Sequence, residues 1–232
     1  MYMMGGFGQK LHDTFIEGDR WTYLTNGLKI TLIVTFFASL LGIVLGFLLA
    51  IIRSTHDKTG KLRILDALAR VYLTVIRGTP VLVQLMIIYF VIFASFNVSK
   101  IFVAVMAFGL NSAAYVAEIV RSGIMSIDNG QFEAGRSLGF NYFQTMQHII
   151  IPQVFKNVLP SLMNEFIALL KETSVAGYVA VMDLTKAGDT IRGRTYSPFM
   201  PLIAVALIYL ALVMFLTWIV GRVERRLRNS DH

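Results

Sequence analysis

The stretch Ile30-Thr-Leu-Ile-Val-Thr-Phe-Phe-Ala-Ser-Leu-Leu-Gly-Ile-Val-Leu-Gly-Phe-Leu-Leu-Ala-Ile-Ile52 contains no charged residue. At about 1.5 Å of rise per residue, a helix of this length spans the roughly 30 Å hydrocarbon core of a bilayer. Phe199 to Gly221 is likewise uncharged. Ile101 to Ile119 is broken only by Asn111, Ser112 and Glu118, and Ile149 to Leu170 carries Lys156 and Glu165. Val81 to Phe96 is apolar but short, and it follows Arg77-Gly78-Thr79-Pro80. Proline drives the residue before it out of the helical region, and glycine adds conformational freedom. The spacing therefore predicts a helix over Leu62 to Ile76 at or entering the membrane, a bend at Gly78–Pro80, and the rest of one span beyond it. The expected fold is an all-α membrane protein with about five transmembrane helices, at about 28–52, 64–96, 100–121, 149–171 and 199–221.

Composition agrees. The 232 residues are 56% hydrophobic and 15% charged, with a formal charge of +7 and no cysteine; the mean hydropathy is +0.65. A soluble domain needs roughly 25% charged residues to cover its surface, so the apolar surplus here faces something other than water. Without cysteine there is no disulfide framework, thiolate nucleophile or cysteine metal site. The four histidines, His12, His56, His148 and His232, are scattered and form no HExxH. The positive charge reads as membrane topology and not as nucleic-acid binding, because lysine and arginine gather on the cytoplasmic side.

Arg53, Lys58, Lys61 and Arg63 follow the first apolar segment, and Arg222, Arg225, Arg226 and Arg228 follow the last. The connections 53–63 and 120–148 and the basic tail 223–232 are therefore expected in the cytoplasm. Five crossings then place the amino terminus outside, with an external segment 1–25 and an outer segment 173–198, although Lys186, Arg192 and Arg194 lie in the latter. The membrane portion is expected over 26–222. The opening MYMMGGFGQK has no apolar core or cleavage pattern and is not expected to be a secretory signal. No internal repeat of the kind common in secondary carriers is present. Ala38, Gly42, Gly46 and Ala50 recur at every fourth position. Such a small-residue stripe admits a close helix, either within one subunit or at a dimer seam.

Among the connections, 126–146 stands out. Glu133 to Arg136 suits a helix, Gly139 suits a turn at positive φ, and Phe140, Tyr142, Phe143 and Met146 offer an apolar surface. Two readings remain open: a docking element for a partner, or a helix resting on lipid headgroups. Gly188-Asp-Thr-Ile-Arg-Gly193-Arg194-Thr195 imitates a phosphate loop, but arginine stands in place of the phosphate-binding lysine and no strand precedes it.

Glu133-Ala134-Gly135, then Gly139, then Ile149-Ile150-Ile151-Pro152 resembles the EAA---G---------I-LP signature of permease subunits in binding-protein-dependent ABC importers. Gly135 replaces the second alanine and Ile151 the leucine. Arg77-Gly78-Thr79-Pro80-Val-Leu-Val-Gln84, Ala117-Glu118-Ile119-Val-Arg121-Ser-Gly123-Ile124, and Leu159-Pro160-Ser-Leu-Met-Asn164-Glu165-Phe166 with Lys171-Glu-Thr-Ser174 are similar to blocks of the polar-amino-acid uptake family. The resemblance implies a type I ABC importer transmembrane domain. It also implies two permease subunits, identical or homologous, with a cytoplasmic ATPase subunit beneath and an external substrate-binding protein above. On that reading 126–146 is the coupling loop. Glu133, Ala134, Gly135 and Gly139 transmit force to or from the ATPase, which alone binds ATP and Mg, and this chain is no enzyme and binds no cofactor. The setting would be a prokaryotic inner membrane, with lipid as the surround.

Ionisable groups inside a span cost at least about 2.5–3.5 kcal/mol and so face protein or water. Asn111, Tyr115 and Glu118 share one helical face, with Ser112 beside it, and Asn164 and Glu165 lie near the middle of the fourth segment. Asparagine offers both a donor and an acceptor to a zwitterion, and glutamate attracts a cation. Asn111, Ser112, Tyr115, Asn164 and Glu165 are therefore candidate substrate-pathway residues for a polar amino acid (arginine, lysine, histidine or glutamine). The alternative for the asparagines is bonding between helices. Glu118 and Arg121, three residues apart, read as a gating or structural ion pair. Arg77 reads first as an interfacial anchor and second as a partner for a substrate carboxylate. Lys171 is expected at the outer headgroups, and the arginines beyond Gly221 on anionic lipid. A channel or ion-coupled carrier is the rival class, and uptake dependent on an ATPase separates the two. An intramembrane enzyme has no catalytic set at membrane depth.

Overall fold

The computed structural model describes residues 6–229. Residues 1–5 and 230–232, which hold the start of MYMMGGFGQK, the end of the basic tail and His232, lie outside the described residues. Every regular element among the described residues is helical. A short lead-in, α1 (Phe7–Leu11), passes through single turns to α2 (Trp21–Thr59). Then follow α3 (Arg63–Gly78), α4 (Val81–Ile87) with a π turn over Ile88–Ile92, α5 (Lys100–Met125), α6 (Asn129–Ser137) and α7 (Tyr142–Thr145). A second π turn leads into α8 (Ile151–Glu172), 3-10 turns lead to α9 (Leu184–Thr195), and α10 (Phe199–Asn229) ends the fold.

Among the described residues, three helices are long and apolar enough to cross a membrane: Trp21–Thr59, Lys100–Met125 and Phe199–Leu227. Arg63–Gly78 and Val81–Ile92, bent by 110°, make a fourth if taken together. The bend falls at the expected Gly78–Pro80, with Thr79 extended (φ −124°) and Pro80 heading α4. Gln84 repairs the break. Its Nε2 donates to the Ile76 and Thr79 carbonyls at 2.7 and 3.0 Å and to Thr79 Oγ1 at 2.8 Å. The expected fourth span is a helix of 22 residues. It does not pass as an apolar span, because Lys156, Glu165, Lys171 and Glu172 lie along it.

Several boundaries differ from the sequence reading. α2 starts at Trp21, inside the expected external segment, and continues past Ile52 to Thr59, about 58 Å in all. Gly60, at φ +68°, stops it. The expected outer loop 173–198 is mostly helical and holds α9, capped by Asp183 through the Thr185 and Lys186 amides. The basic stretch after Gly221 does not form a separate tail within the described residues but continues α10. Helical periodicity and capping extend these elements beyond the hydrophobic limits that define a span.

The core is the α2–α5 seam. Ala38, Gly42, Gly46 and Ala50 are buried there, which assigns the small-residue stripe to packing within the subunit. A Cβ on Gly42 would lie 2.9 Å from the Ser112 side chain, and one on Gly46 2.5 Å from Val116. Hydrogen at these positions is what lets the two backbones approach. α8 closes on the inner half of α5 in the same way, because a Cβ on Gly123 would lie 2.2 Å from Val158 Cγ1. α10 packs chiefly on α8 and α9 and leaves most of its apolar surface uncovered, including Leu207, Leu210, Met214 and Phe215.

Candidate functional site

α5 and α8 diverge beside the Gly123 contact and frame a cleft of about 460 Å³. α5 supplies Tyr115, Glu118 and Ser122, α8 supplies Asn157, Ser161 and Glu165, and the last turn of α3 supplies Arg77. The helical repeat explains both walls: residues 115, 118 and 122 recur at three- and four-residue steps, and 157, 161 and 165 at four-residue steps. Ser112 Oγ donates to Glu165 Oε1 at 2.9 Å and fixes that carboxylate at the cleft wall.

At the inner end, Glu118 meets three guanidinium groups. Arg121 Nη2 lies 3.2 Å from Oε1, while Arg77 Nη1 and Arg53 Nη1 lie 3.4 and 3.5 Å from Oε2. The Arg77 guanidinium also sits 5.9 Å from the Tyr115 ring centre. The cleft thus presents one cation, Arg77, between two carboxylates, Glu118 and Glu165.

Of the five candidate pathway residues, Tyr115 and Glu165 line the cleft and Ser112 supports Glu165. Asn111 does not line it. This residue is buried against α4, where its Nδ2 donates to Gln84 Oε1 at 2.9 Å, the interhelical role weighed as its alternative. Asn164 is exposed on another face of α8 and also lies off the cleft wall. Glu118 and Arg121 do pair, but within a larger set. Arg77 is no free interfacial anchor, since it holds Glu118 and borders the cleft. Asn157, Ser161 and Ser122 went unread in the sequence, although their four- and eight-residue spacing from Glu165, and seven-residue spacing from Tyr115, mark the same faces.

The second candidate surface is the knob formed by α6 and α7. Asp128 caps α6 through the Gly130 amide at 2.6 Å. At the other end Phe140 N donates to Gly135 O at 3.0 Å and Gly139 N to Arg136 O at 2.9 Å, a Schellman closure with Gly139 at φ +80°. Asn141 and Gln144 then form a capping box that starts α7. Gly135 is buried against Thr145, whose Oγ1 would lie 2.6 Å from an added Cβ, so alanine at this position would collide. Glu133, Ala134 and Gly139 are exposed. Of the four apolar residues after Gly139, Phe143 is 73% exposed, whereas Met146 is buried beneath α8 and Tyr142 stacks on Phe132 at 6.4 Å. Leu138, 70% exposed, joins Phe143 on the outer surface of the knob.

Gly188 to Thr195 lie within α9, and Gly188 packs against Val205. A helix there leaves no loop to cradle phosphate. Among the described residues, no group of three His, Asp or Glu side chains could hold a metal ion.

Residues 42–229 match the family of binding-protein-dependent transport system inner membrane components. The chain belongs to this family. The permease subunit is 38% identical over 211 residues to the arginine transport system permease protein ArtQ of Bacillus subtilis, covering 90% of this chain and 94% of that one. It is 39% identical over 207 residues to the putative glutamine transport system permease protein GlnP of Rickettsia typhi, covering 88% and 93%. A crystal structure of an amino acid ABC transporter with histidines superposes with a TM-score of 0.81 at 38% identity, over 91% of this permease subunit and 98% of that chain.

Proposed function

We propose that the chain is a translocation-pathway subunit of an ATP-driven importer of polar, chiefly cationic, amino acids. The observation that carries this reading is the charge order of the cleft. A basic amino acid has one carboxylate, an α-ammonium group and a cationic side chain. Arg77 is placed to take the carboxylate and Glu165 to take a cation, while Glu118, already held by three guanidinium groups, keeps Arg77 in position. Ser112 holds Glu165 ready, so little reorganisation accompanies binding. Arginine and glutamine, for which its relatives ArtQ and GlnP are named, fit the same polar class.

In this reading the chain crosses the membrane five times, with α8 as the fourth crossing. Its charged residues are tolerated there because one side faces the cleft and another, with Asn164, faces a second permease subunit. The amino terminus lies outside, and the knob and the end of α10 lie in the cytoplasm. α6 is the coupling helix, with Glu133, Ala134 and Gly139 on its surface and Leu138 and Phe143 as apolar contacts for the ATPase. ATP and Mg stay on that partner. An external binding protein delivers the amino acid, closure of the ATPases opens the cleft outward, and their release opens it inward.

The test is uptake into proteoliposomes that contain the permease, its ATPase and its binding protein. Glu165→Gln is expected to reduce discrimination between cationic and neutral amino acids about tenfold, equivalent to about 1.4 kcal/mol. Unchanged selectivity would remove Glu165 from the pathway. Uptake that persists without the ATPase or without internal ATP would instead establish a channel or ion-coupled carrier.

A further inference from the structure

The inner end of α2 outruns the apolar segment, and consecutive side chains along it reach different helices. Arg53 contacts Glu118 of α5 at 3.5 Å and Asp66 of α3 at 3.7 Å. Asp57 meets Arg121 of α5 at 3.5 Å and Arg70 of α3 at 3.8 Å. Lys58 turns the other way, toward the knob: its Nζ donates to Asn129 Oδ1 of α6 at 2.8 Å and lies 4.8 Å from the Phe132 ring centre. Phe132 is buried and stacks on Tyr142, so Lys58 grips the root of the knob and not its tip.

One rigid helix therefore joins the knob to the cleft. From Lys58 back to Arg53 is five residues, about 7.5 Å of continuous helix, and Arg53 ends on Glu118, which lines the cleft. Two other routes leave the knob: the bend and loop residues 126–128 between α5 and α6, and α7, which continues through the π turn Met146–Ile150 into α8. The loop transmits displacement less faithfully than a helix, and the π turn interrupts the regular α-helical register before α8 reaches the cleft.

We propose that the inner end of α2 is a lever, with Lys58 as the positioning residue that receives the displacement of the knob and Arg53 as the one that delivers it to Glu118. This rests on the knob being the element that the ATPase engages. Coupling between the two ends would show as a functional dependence of one on the other.

The experiment uses the full permease reconstituted with its ATPase and binding protein, and reads ATP hydrolysis stimulated by the loaded binding protein together with amino acids moved per ATP. Lys58→Asn removes the donor and the ring contact, and is expected to lower amino acids moved per ATP about fivefold, within the usual range for coupling between sites. Lys58→Arg keeps both contacts and should stay near wild type. Adding Asn129→Lys to Lys58→Asn exchanges donor and acceptor across the same contact and should recover most of the loss. Arg53→Gln breaks the far end and should reproduce the Lys58→Asn defect. Transport per ATP that is unchanged in Lys58→Asn, or lost without recovery in the exchanged pair, overturns the lever. Gly139→Asp, run in parallel, separates the two claims. If it abolishes ATPase assembly while Lys58→Asn behaves as wild type, the knob stands and the lever falls. If it leaves assembly and transport intact, the knob reading fails and the lever with it.

Discussion

The two ends of α2 are held by different chemistry. At the amino-terminal end the contacts are few and dry. Thr31 Oγ1 accepts the Leu184 amide at 3.0 Å, Thr35 and Thr173 hydroxyls meet at 3.4 Å, and the buried Asp183 carboxylate caps α9 at 3.0 and 3.1 Å. Each of these four side chains is at most 5% exposed. At the inner end the contacts are ionic, mostly 3.4–3.8 Å long, and shared: Asp66 is reached by Arg53, His56 and Arg70, and Glu118 by three arginines. Asp57 and Arg70 there are 40% and 54% exposed. Dry hydrogen bonds are costly to leave unmade, so the amino-terminal end behaves as a fixed joint. At the inner end Asp66 is itself only 4% exposed and stays in place, whereas the more exposed pairs of Asp57 and Glu118 have alternative partners and exchange them at little cost, so this end can re-pair as α2 moves.

The largest expected effect lies on the seam that both ends share. Gly46→Leu should destabilise the fold by about 3 kcal/mol or more, because its Cβ would already intrude on Val116. Thermal unfolding of the purified variant in detergent reads this. A well-folded Gly46→Leu would mean that the seam does not fix α2 against α5, and the contrast between its ends would lose its basis.

Asp183 tests the amino-terminal joint. Asp183→Ala should cost about 1 kcal/mol, the usual worth of a helix cap. Asp183→Asn keeps an acceptor for the cap and should recover most of that loss. Burial pushes the Asp183 carboxyl above its ordinary 3.8, against the pull of the Lys186 and Thr185 amide hydrogen bonds. The folded state therefore binds this proton more tightly than the unfolded chain. Stability of the wild type should fall as pH rises from the ordinary value through the folded one, and then level off. Asp183→Asn lacks that decline, so the two melting curves should diverge from acid toward neutral pH. Parallel curves would show that the carboxyl carries no burial penalty.

The smallest effect on stability is expected at the inner end. Glu118→Gln should change unfolding free energy by less than about 1 kcal/mol, since the site is partly exposed and the arginines retain Asp57 and Asp66 nearby. Its effect on transport should be larger than its effect on stability, and comparing melting with uptake sharpens the distinction. A loss of stability that matches the loss at Asp183 would make the two ends alike.

Legibility in the sequence followed the range of the interaction. The bend at Gly78–Pro80 and the positive φ at Gly139 were readable, because proline sterics and helix closure act over a few residues. The helical repeat of α5 and α8 was readable and put Tyr115 with Glu118 on one face of α5, but Ser122, Asn157 and Ser161 went unread, and Asn111 and Asn164 fall off the cleft wall. The partners of those faces were not readable. Asn111 shares a face with Tyr115, yet its partner Gln84 reaches it only because α4 turns back by 110°. The three arginines around Glu118 come from positions 53, 77 and 121, and no local pattern links them. The departure at Gly135 was visible, but its reason, Thr145 pressed against it, depends on how the knob folds.

By itself, the sequence determined that the chain is helical, that its apolar segments need a bilayer, and where the backbone must bend or stop. These properties come from solvation and from steric limits within single residues or single turns. Only the tertiary structure decided which polar side chains share the cleft, which merely join helices, and which tie α2 to the knob. A helix fixes the direction of each side chain about its own axis, whereas its partner is set by the approach of another helix, and here small residues at Gly42, Gly46 and Gly123 control that approach.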